Sequence, residues 1–137
     1  MEIQKNDIHI KIDLPPITKK NSQGICINKK TGRPFIVPSK AYTRYEKQAG
    51  WFIKGDLRSL NIDKPVNVKC LYYMPTRRRV DLTNLLESTD DILVKYGVLS
   101  DDNCTVIASH DGSRVYYDKE NPRTEVVISF YDSLPQS

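Results

Sequence analysis

The sequence predicts an α/β chain of the α+β kind: a mixed sheet with two main helices laid against it as a two-layer sandwich. Three observations carry that prediction. Apolar residues alternate at period two near both ends and in the middle, two stretches show helical spacing, and proline or glycine marks most of the changes between them. At 137 residues the chain is most simply one domain, 1–137, able to bury a core of its own.

Ile3 to Leu14 holds Ile8, Ile10, Ile12 and Leu14 on one side and His9, Lys11 and Asp13 on the other, which reads as a half-buried strand ended by Pro15 and Pro16. Residues 17–38 are basic and rich in turn formers. GICINKK and RPFIVP can pair as a hairpin across Lys29 to Arg33, and the segment is expected to be an exposed, mobile basic arm. Ser39 can cap a helix whose apolar side holds Tyr42, Tyr45, Ala49, Phe52 and Ile53, with Gly55 as its stop. Pro65 to Met74 alternates again through Val66, Val68, Cys70 and Tyr72, and is expected to be a central strand closed by Pro75. Leu82, Leu85, Leu86 and Ile92 mark a second amphipathic helix running to about Tyr96, with Gly97 as its C-terminal stop. Thr105 to Ala108, Val115 to Tyr117 and Glu125 to Tyr131 read as strands, the first two flanking His110, Asp111 and Gly112. The tail from Asp132 is expected to fray.

The formal charge of +4 is a modest excess that favours an anionic partner. Its distribution says more than its size. Basic residues cluster at Lys19 and Lys20, at Lys29, Lys30 and Arg33, and at Arg77, Arg78 and Arg79, whereas acids gather between Asp81 and Asp102. The N-terminal stretch has no continuous apolar run of the signal-peptide kind, and no segment reads as membrane-spanning. Cys26, Cys70 and Cys104 are odd in number and widely spaced, against both a disulfide framework and a zinc site. They read as small residues on strands or strand edges in a reducing, cytoplasmic setting.

The chemistry concentrates between Pro75 and Asn103. Three consecutive arginines would repel one another if buried, so they should face solvent or a polyanion, and a guanidinium suits bidentate phosphate contact. Asp81 stands before the second helix, and Asp101 with Asp102 after it; one helix and its return would bring the two groups together. Hard oxygen ligands beside a phosphate-binding surface suit Mg²⁺, which binds through few carboxylates and keeps much of its water. Each residue also has a plainer reading. Asp81 is a good helix cap, Asp101 and Asp102 are common turn formers, and Glu87, Asp90 and Asp91 suit the solvated face of a helix. His110 reads as structural or exposed. Tyr72 with Tyr73, and Tyr116 with Tyr117, should each place one ring inward and one outward, the outward rings able to stack on bases.

The stretch MPTRRRVDLTNLLESTDDILVKYGVLSDDN resembles the RusA family of Holliday junction resolvases, as do LPPITKKNS near Leu14 and the PSKAYTRYEKQA helix start. The family pattern is a set of arginines, Asp-Leu-Asp-Asn-Leu, a lysine on the same helix, a glycine, and a closing Asp-Asp. Asp81 matches the first aspartate, Asn84 the asparagine, and Asp102 the second closing acid, with Asp101 before it. Two positions depart: Thr83 replaces the second aspartate, and Glu87 stands where the family has its catalytic lysine. Four residues apart, the two share a helix face, so Glu87 can return the carboxylate lost at Thr83. The positive charge then has to come from Arg78, Arg79, Lys95 or Arg114.

The resemblance implies a Mg²⁺-dependent endonuclease, with Mn²⁺ able to substitute, that resolves four-way DNA junctions in recombination and repair. Asp81, Asp102 and Glu87 are the expected catalytic residues, and with Asp101 the metal ligands; Thr83 and Asn84 support them. Paired nicks at a two-fold branch point call for two sites in a C₂ homodimer. Arg77 to Arg79, Lys19, Lys20, Lys29, Lys30 and Arg33 are expected to contact DNA phosphates, with no membrane and no organic cofactor involved. A catalytically weak binder of branched DNA is the second reading, and a small metal-dependent phosphohydrolase acting on nucleotides the third.

Overall fold

The computed structural model describes residues 7–19 and 23–132, with the backbone alone at 23–25 and 36–38. Seven strands and two α-helices follow in the order β1 (Ile8–Ile12), β2 (Gln23–Ile27), β3 (Pro34–Pro38), α1 (Lys40–Ala49), β4 (Val66–Met74), α2 (Leu82–Lys95), β5 (Ile107–Ser109), β6 (Arg114–Tyr117) and β7 (Arg123–Phe130). The α+β class is as the patterning predicts, and the sheet is mixed. Its order is β1-β7-β4-β5, with β6 on the same edge of β4 as β5. β1 and β7 run antiparallel, as do β7 and β4, while β5 and β6 both run parallel to β4. Among the described residues, no helix is long and apolar enough to cross a membrane.

Alternation in the sequence becomes alternation in burial. Val66, Val68, Cys70 and Tyr72 of β4, Thr124, Val126 and Ile128 of β7, and Ile10 and Ile12 of β1 are buried, whereas the residues between them are only partly covered or exposed. Tyr42, Tyr45 and Ala49 of α1 and Leu85, Ile92 and Leu93 of α2 join them in one core. β4 lies inside the sheet, between β7 and the edge strands β5 and β6, as expected of the Pro65 to Met74 stretch.

Ser39 caps α1 as expected, its hydroxyl accepting the Tyr42 N–H at 3.1 Å. The helix is shorter than its apolar spacing suggests. It ends at Ala49, and Gly50–Phe52 continue as a 3₁₀ turn, which leaves Trp51 70% exposed. A side chain at Gly50 would meet the Tyr96 ring within 2.5 Å, so the chain tightens where that ring passes. β2 and β3 form the expected hairpin as a separate two-stranded sheet, with residues 28–33 exposed at its tip. Lys20, and the parts of the first strand and of the tail that lie at 1–6 and 133–137, are outside the described residues.

The second helix ends in the expected way. Gly97 takes φ +78° and its N–H reaches the Val94 carbonyl, a conformation glycine adopts without penalty. Asn61 and Ile62 then hold the outgoing chain: the Asn61 N–H donates to Gly97 O, the Ile62 N–H to Val98 O, and the Ser100 N–H to Ile62 O. Those bonds fix where the acidic loop leaves the core.

Candidate active site

Thr83, Leu86, Glu87 and Asp90 follow helical spacing, so α2 presents them on one face. That face forms one wall of a hollow of about 260 Å³, whose remaining lining residues are Asp102 and His110. The helix and the loop after it therefore bring Glu87 and Asp102 to one hollow. Thr83 borders the same hollow one turn below Glu87.

His110 arrives by a different route. β5 ends at Ser109 and β6 begins at Arg114, both on one edge of β4, and the four residues between leave the ladder. The β4 edge compensates with side chains. Asn67 accepts the Asp111 N–H at 2.7 Å and donates to the Asp111 carbonyl at 3.1 Å, while the Ser113 hydroxyl accepts the Cys70 N–H at 3.0 Å. Gly112, at φ +88°, closes the corner. The excursion sets His110 against α2, where its Nε2 lies 2.9 Å from Asp90 Oδ2 and 3.2 Å from Oδ1.

This corrects one reading. Asp90 is not part of a solvated helix face: it is 8% exposed and paired with His110. His110, read as structural or exposed, is partly exposed and holds that pair. Burial pushes the Asp90 carboxyl above its ordinary range, the His110 hydrogen bond and charge pull it back, and the nearby Asp102 and Glu87 push it up again. Asp91 is half-exposed, 4.0 Å from Lys19, and is also raised, by burial first and then by Asp102, Glu87 and Asp90 against the pull of Lys19. Glu87 and Asp102 thus act on both neighbouring aspartates. The clue in the sequence was the spacing of residues 83, 87 and 90, which already put Asp90 on the Glu87 face.

Asp81 occupies the N-cap position of α2, but its side chain makes no capping bond; Oδ2 accepts from Asn84 Nδ2 at 3.3 Å instead. It does not border the hollow. Asp101 is occupied within its own loop, Oδ1 accepting the Asp102 N–H at 2.7 Å and Oδ2 the Asn103 amide at 3.1 Å. Among the described residues, no three His, Cys, Asp or Glu converge closely enough to hold a metal ion by themselves.

The basic residues take separate places. Arg78 and Arg79 line a cleft of about 500 Å³ with Thr18, Met74, Thr76 and Val80, among others, and Arg77 lies over the Tyr117 ring at 4.3 Å. Lys29, Lys30 and Arg33 are exposed near the hairpin tip. Lys95 is tied to Glu46 in a salt bridge, which directs its charge toward α1. The tyrosine expectation holds for one pair only. Tyr72 is buried while Tyr73 stacks on Tyr116 at 5.1 Å, but Tyr116 and Tyr117 are both exposed, at 42% and 40%. β6 is an edge strand exposed along its whole length, so alternation there selects no inner face. Cys70 lies in β4 and Cys26 in β2, whereas Cys104 falls in the acidic loop.

The family model described as "Endodeoxyribonuclease RusA" matches residues 13–129. The crossover junction endodeoxyribonuclease RusA of Aquifex aeolicus (strain VF5) is 29% identical over 100 residues, covering 73% of this chain and 75% of that one. The crossover junction endodeoxyribonuclease rusA of Enterobacteria phage 82 is 33% identical over 97 residues, covering 71% and 75%. The matched span contains all of β4, α2 and the acidic loop, and on that match the chain belongs to the RusA family of endodeoxyribonucleases.

Proposed function

We propose that the chain is a divalent-metal-dependent endonuclease that resolves four-way DNA junctions by paired nicks, acting as a homodimer with Mg²⁺ as the ordinary metal. The observation that carries this reading is the shared hollow of Glu87 and Asp102, on the helix that follows the arginine run. The donor set suits Mg²⁺, a hard ion that binds through one or two carboxylates, keeps several waters and takes phosphate oxygens from the substrate. An all-protein cage is not required, which is compatible with the lack of a three-ligand cluster among the described residues.

Glu87 and Asp102 are the residues that would hold the ion, and Asp81, at the entrance to α2 and outside the hollow, would reach it through an ordered water. Once bound, it would polarise the scissile phosphate and lower the pKa of water. Asp101 acts behind Asp102, setting the loop through the two bonds it accepts. Thr83 shapes the floor beneath Glu87, and Asn84 orients Asp81. Arg78 and Arg79 bind phosphates along their cleft, with Arg77, Lys19, Lys20, Lys29, Lys30 and Arg33 extending the contact. Binding should follow branch shape and weaken steeply with salt. The products carry 5′-phosphates, and two sites related by a C₂ axis match the symmetry of the junction.

That no three ligands converge among the described residues is also compatible with a second reading, a branched-DNA binder of weak activity. One experiment decides between them. Wild type, Asp102→Asn and Glu87→Gln are incubated with a synthetic four-way junction or linear duplex, with Mg²⁺, Mn²⁺ or chelator. Symmetric, metal-dependent nicks in the junction, lost in both variants while junction binding persists, support the endonuclease. Junction that is retarded but uncut by the wild type in either metal overturns it in favour of the binder.

A further inference from the structure

His110 and Asp90 form a pair that the carboxylate set above does not use. Asp90 lines the hollow at 8% exposure, and the His110 ring is the only hydrogen-bond partner of its carboxylate among the described residues. Burying a carboxylate is costly unless it is paired. The helix position would be cheaper with an apolar residue, so packing alone gives no reason for an acid there. When Asp90 is ionised its carboxylate can only accept, so Nε2 is the donor, and in that tautomer the ring's lone pair lies on Nδ1. Among the described residues Nδ1 has no hydrogen-bond partner. A base within reach of the reacting atoms, itself oriented by a carboxylate, is the arrangement that activates nucleophiles in many hydrolytic sites.

We propose that His110, oriented by Asp90, is the proton acceptor of this site, taking a proton from the water that attacks the phosphodiester; this rests on the endonuclease reading above. The step balances within hydrolysis. The water oxygen forms a bond to phosphorus, one water proton passes to His110 Nδ1, and the P–O3′ bond breaks. The departing 3′ oxygen takes a proton from solvent, leaving a 3′-hydroxyl and a 5′-phosphate, and His110 returns its proton to solvent. Asp90 and Glu87 from α2 and Asp102 from the acidic loop are the charged groups that share the hollow with the ring. Asp90 is thus a positioning residue and His110 a catalytic one.

His110→Gln tests the assignment, because a glutamine amide can still donate to Asp90 but cannot take a proton. The expected result is a fall in kcat of about 100-fold or more on a four-way junction, with KM and junction binding changed by less than about threefold. In a parallel arm, cleavage by His110→Ala is measured against added imidazole, and the rate should rise with imidazole concentration. Should the glutamine variant melt below the assay temperature, that arm decides the matter. A glutamine variant that cuts at the wild-type rate while Asp102→Asn is inactive overturns this inference alone, as does an alanine variant whose rate stays flat across the titration. A wild type that cuts no junction with Mg²⁺ or Mn²⁺ overturns the endonuclease reading and this inference with it.

Discussion

The Tyr72 hydroxyl lies 2.7 Å from Thr89 Oγ1, joining the central strand to the helix that carries the site. Thr89 Oγ1 also lies 3.0 Å from the Leu85 carbonyl, to which it can only donate, so Tyr72 must be the donor of the first bond. Both residues are buried, and the tyrosine's ionisation is pushed well up by that burial. The two substitutions are therefore unequal. Tyr72→Phe leaves Thr89 with its backbone partner and should cost about 1 kcal/mol, whereas Thr89→Val strands the buried phenol and should cost about 2 kcal/mol. Urea denaturation of the two variants measures both, and a Thr89→Val milder than Tyr72→Phe would show that the phenol turns to the Cys70 thiol instead.

Gly97 fixes the exit from α2, and an alanine there is opposed twice. The residue has φ +78°, and a Cβ would lie 2.1 Å from the Arg58 carbonyl oxygen, which is backbone and cannot rotate away. Strain and overpacking together should cost about 3 kcal/mol, lowering the melting temperature by roughly 10 °C. Because Gly97, Val98 and Ser100 anchor the loop to Asn61 and Ile62, Asp102 should move as well, and junction cleavage should fall even well below the melting point. Melting by circular dichroism and an assay at low temperature separate the two effects.

The strands and the second helix were legible because they are local. Ile8 to Ile12 and Val66 to Tyr72 alternate, Leu82 to Ile92 repeats with helical spacing, and each pattern needs only its own residues. The pairing of Asp90 with His110 was not, because it depends on where β5 leaves the β4 edge, and that is decided by Asn67 and Ser113 across more than 40 residues of sequence. The early end of α1 is similar. Nothing between Gly50 and Gly55 announces the Tyr96 ring that meets the chain there. Glu87 and Asp102 border one hollow, whereas Asp81, which the helix and its return were expected to bring beside Asp102, does not line it.

Stability should carry an acid-range signature of Asp90. Burial is the leading cause of its shift and raises its pKa above the ordinary 3.8, so between 3.8 and the raised value the folded protein holds a proton that the unfolded chain has released. The folded state binding more protons, stability falls as pH rises through that window; the contribution is fully present below 3.8 and lost above the folded value. Asp90→Asn removes it. The stability of the variant relative to wild type should then increase with pH across the window and level off above it. Asp91 is raised too and remains in both proteins, so the difference between their urea curves at several pH values isolates Asp90. A difference that is flat with pH would mean that His110 compensates the burial fully.

The neighbouring acids Asp101 and Asp102 should respond differently to the same change. Asp101 holds the loop by accepting the Asp102 N–H at one oxygen, and an asparagine oxygen can accept that bond equally well. Asp102 borders the hollow, where charge rather than shape is what it offers a cation. Asp101→Asn should therefore keep junction cleavage within about threefold of wild type, while Asp102→Asn should lose about 100-fold or more. Asp101→Ala is the informative third variant. It leaves the Asp102 N–H without its acceptor and frees the Asn103 amide, so the loop loosens and cleavage should drop by about tenfold, equivalent to about 1.4 kcal/mol of lost positioning. If Asp101→Asn proves as inactive as Asp102→Asn, the first acid is a ligand in its own right, and the loop bonds it makes are incidental.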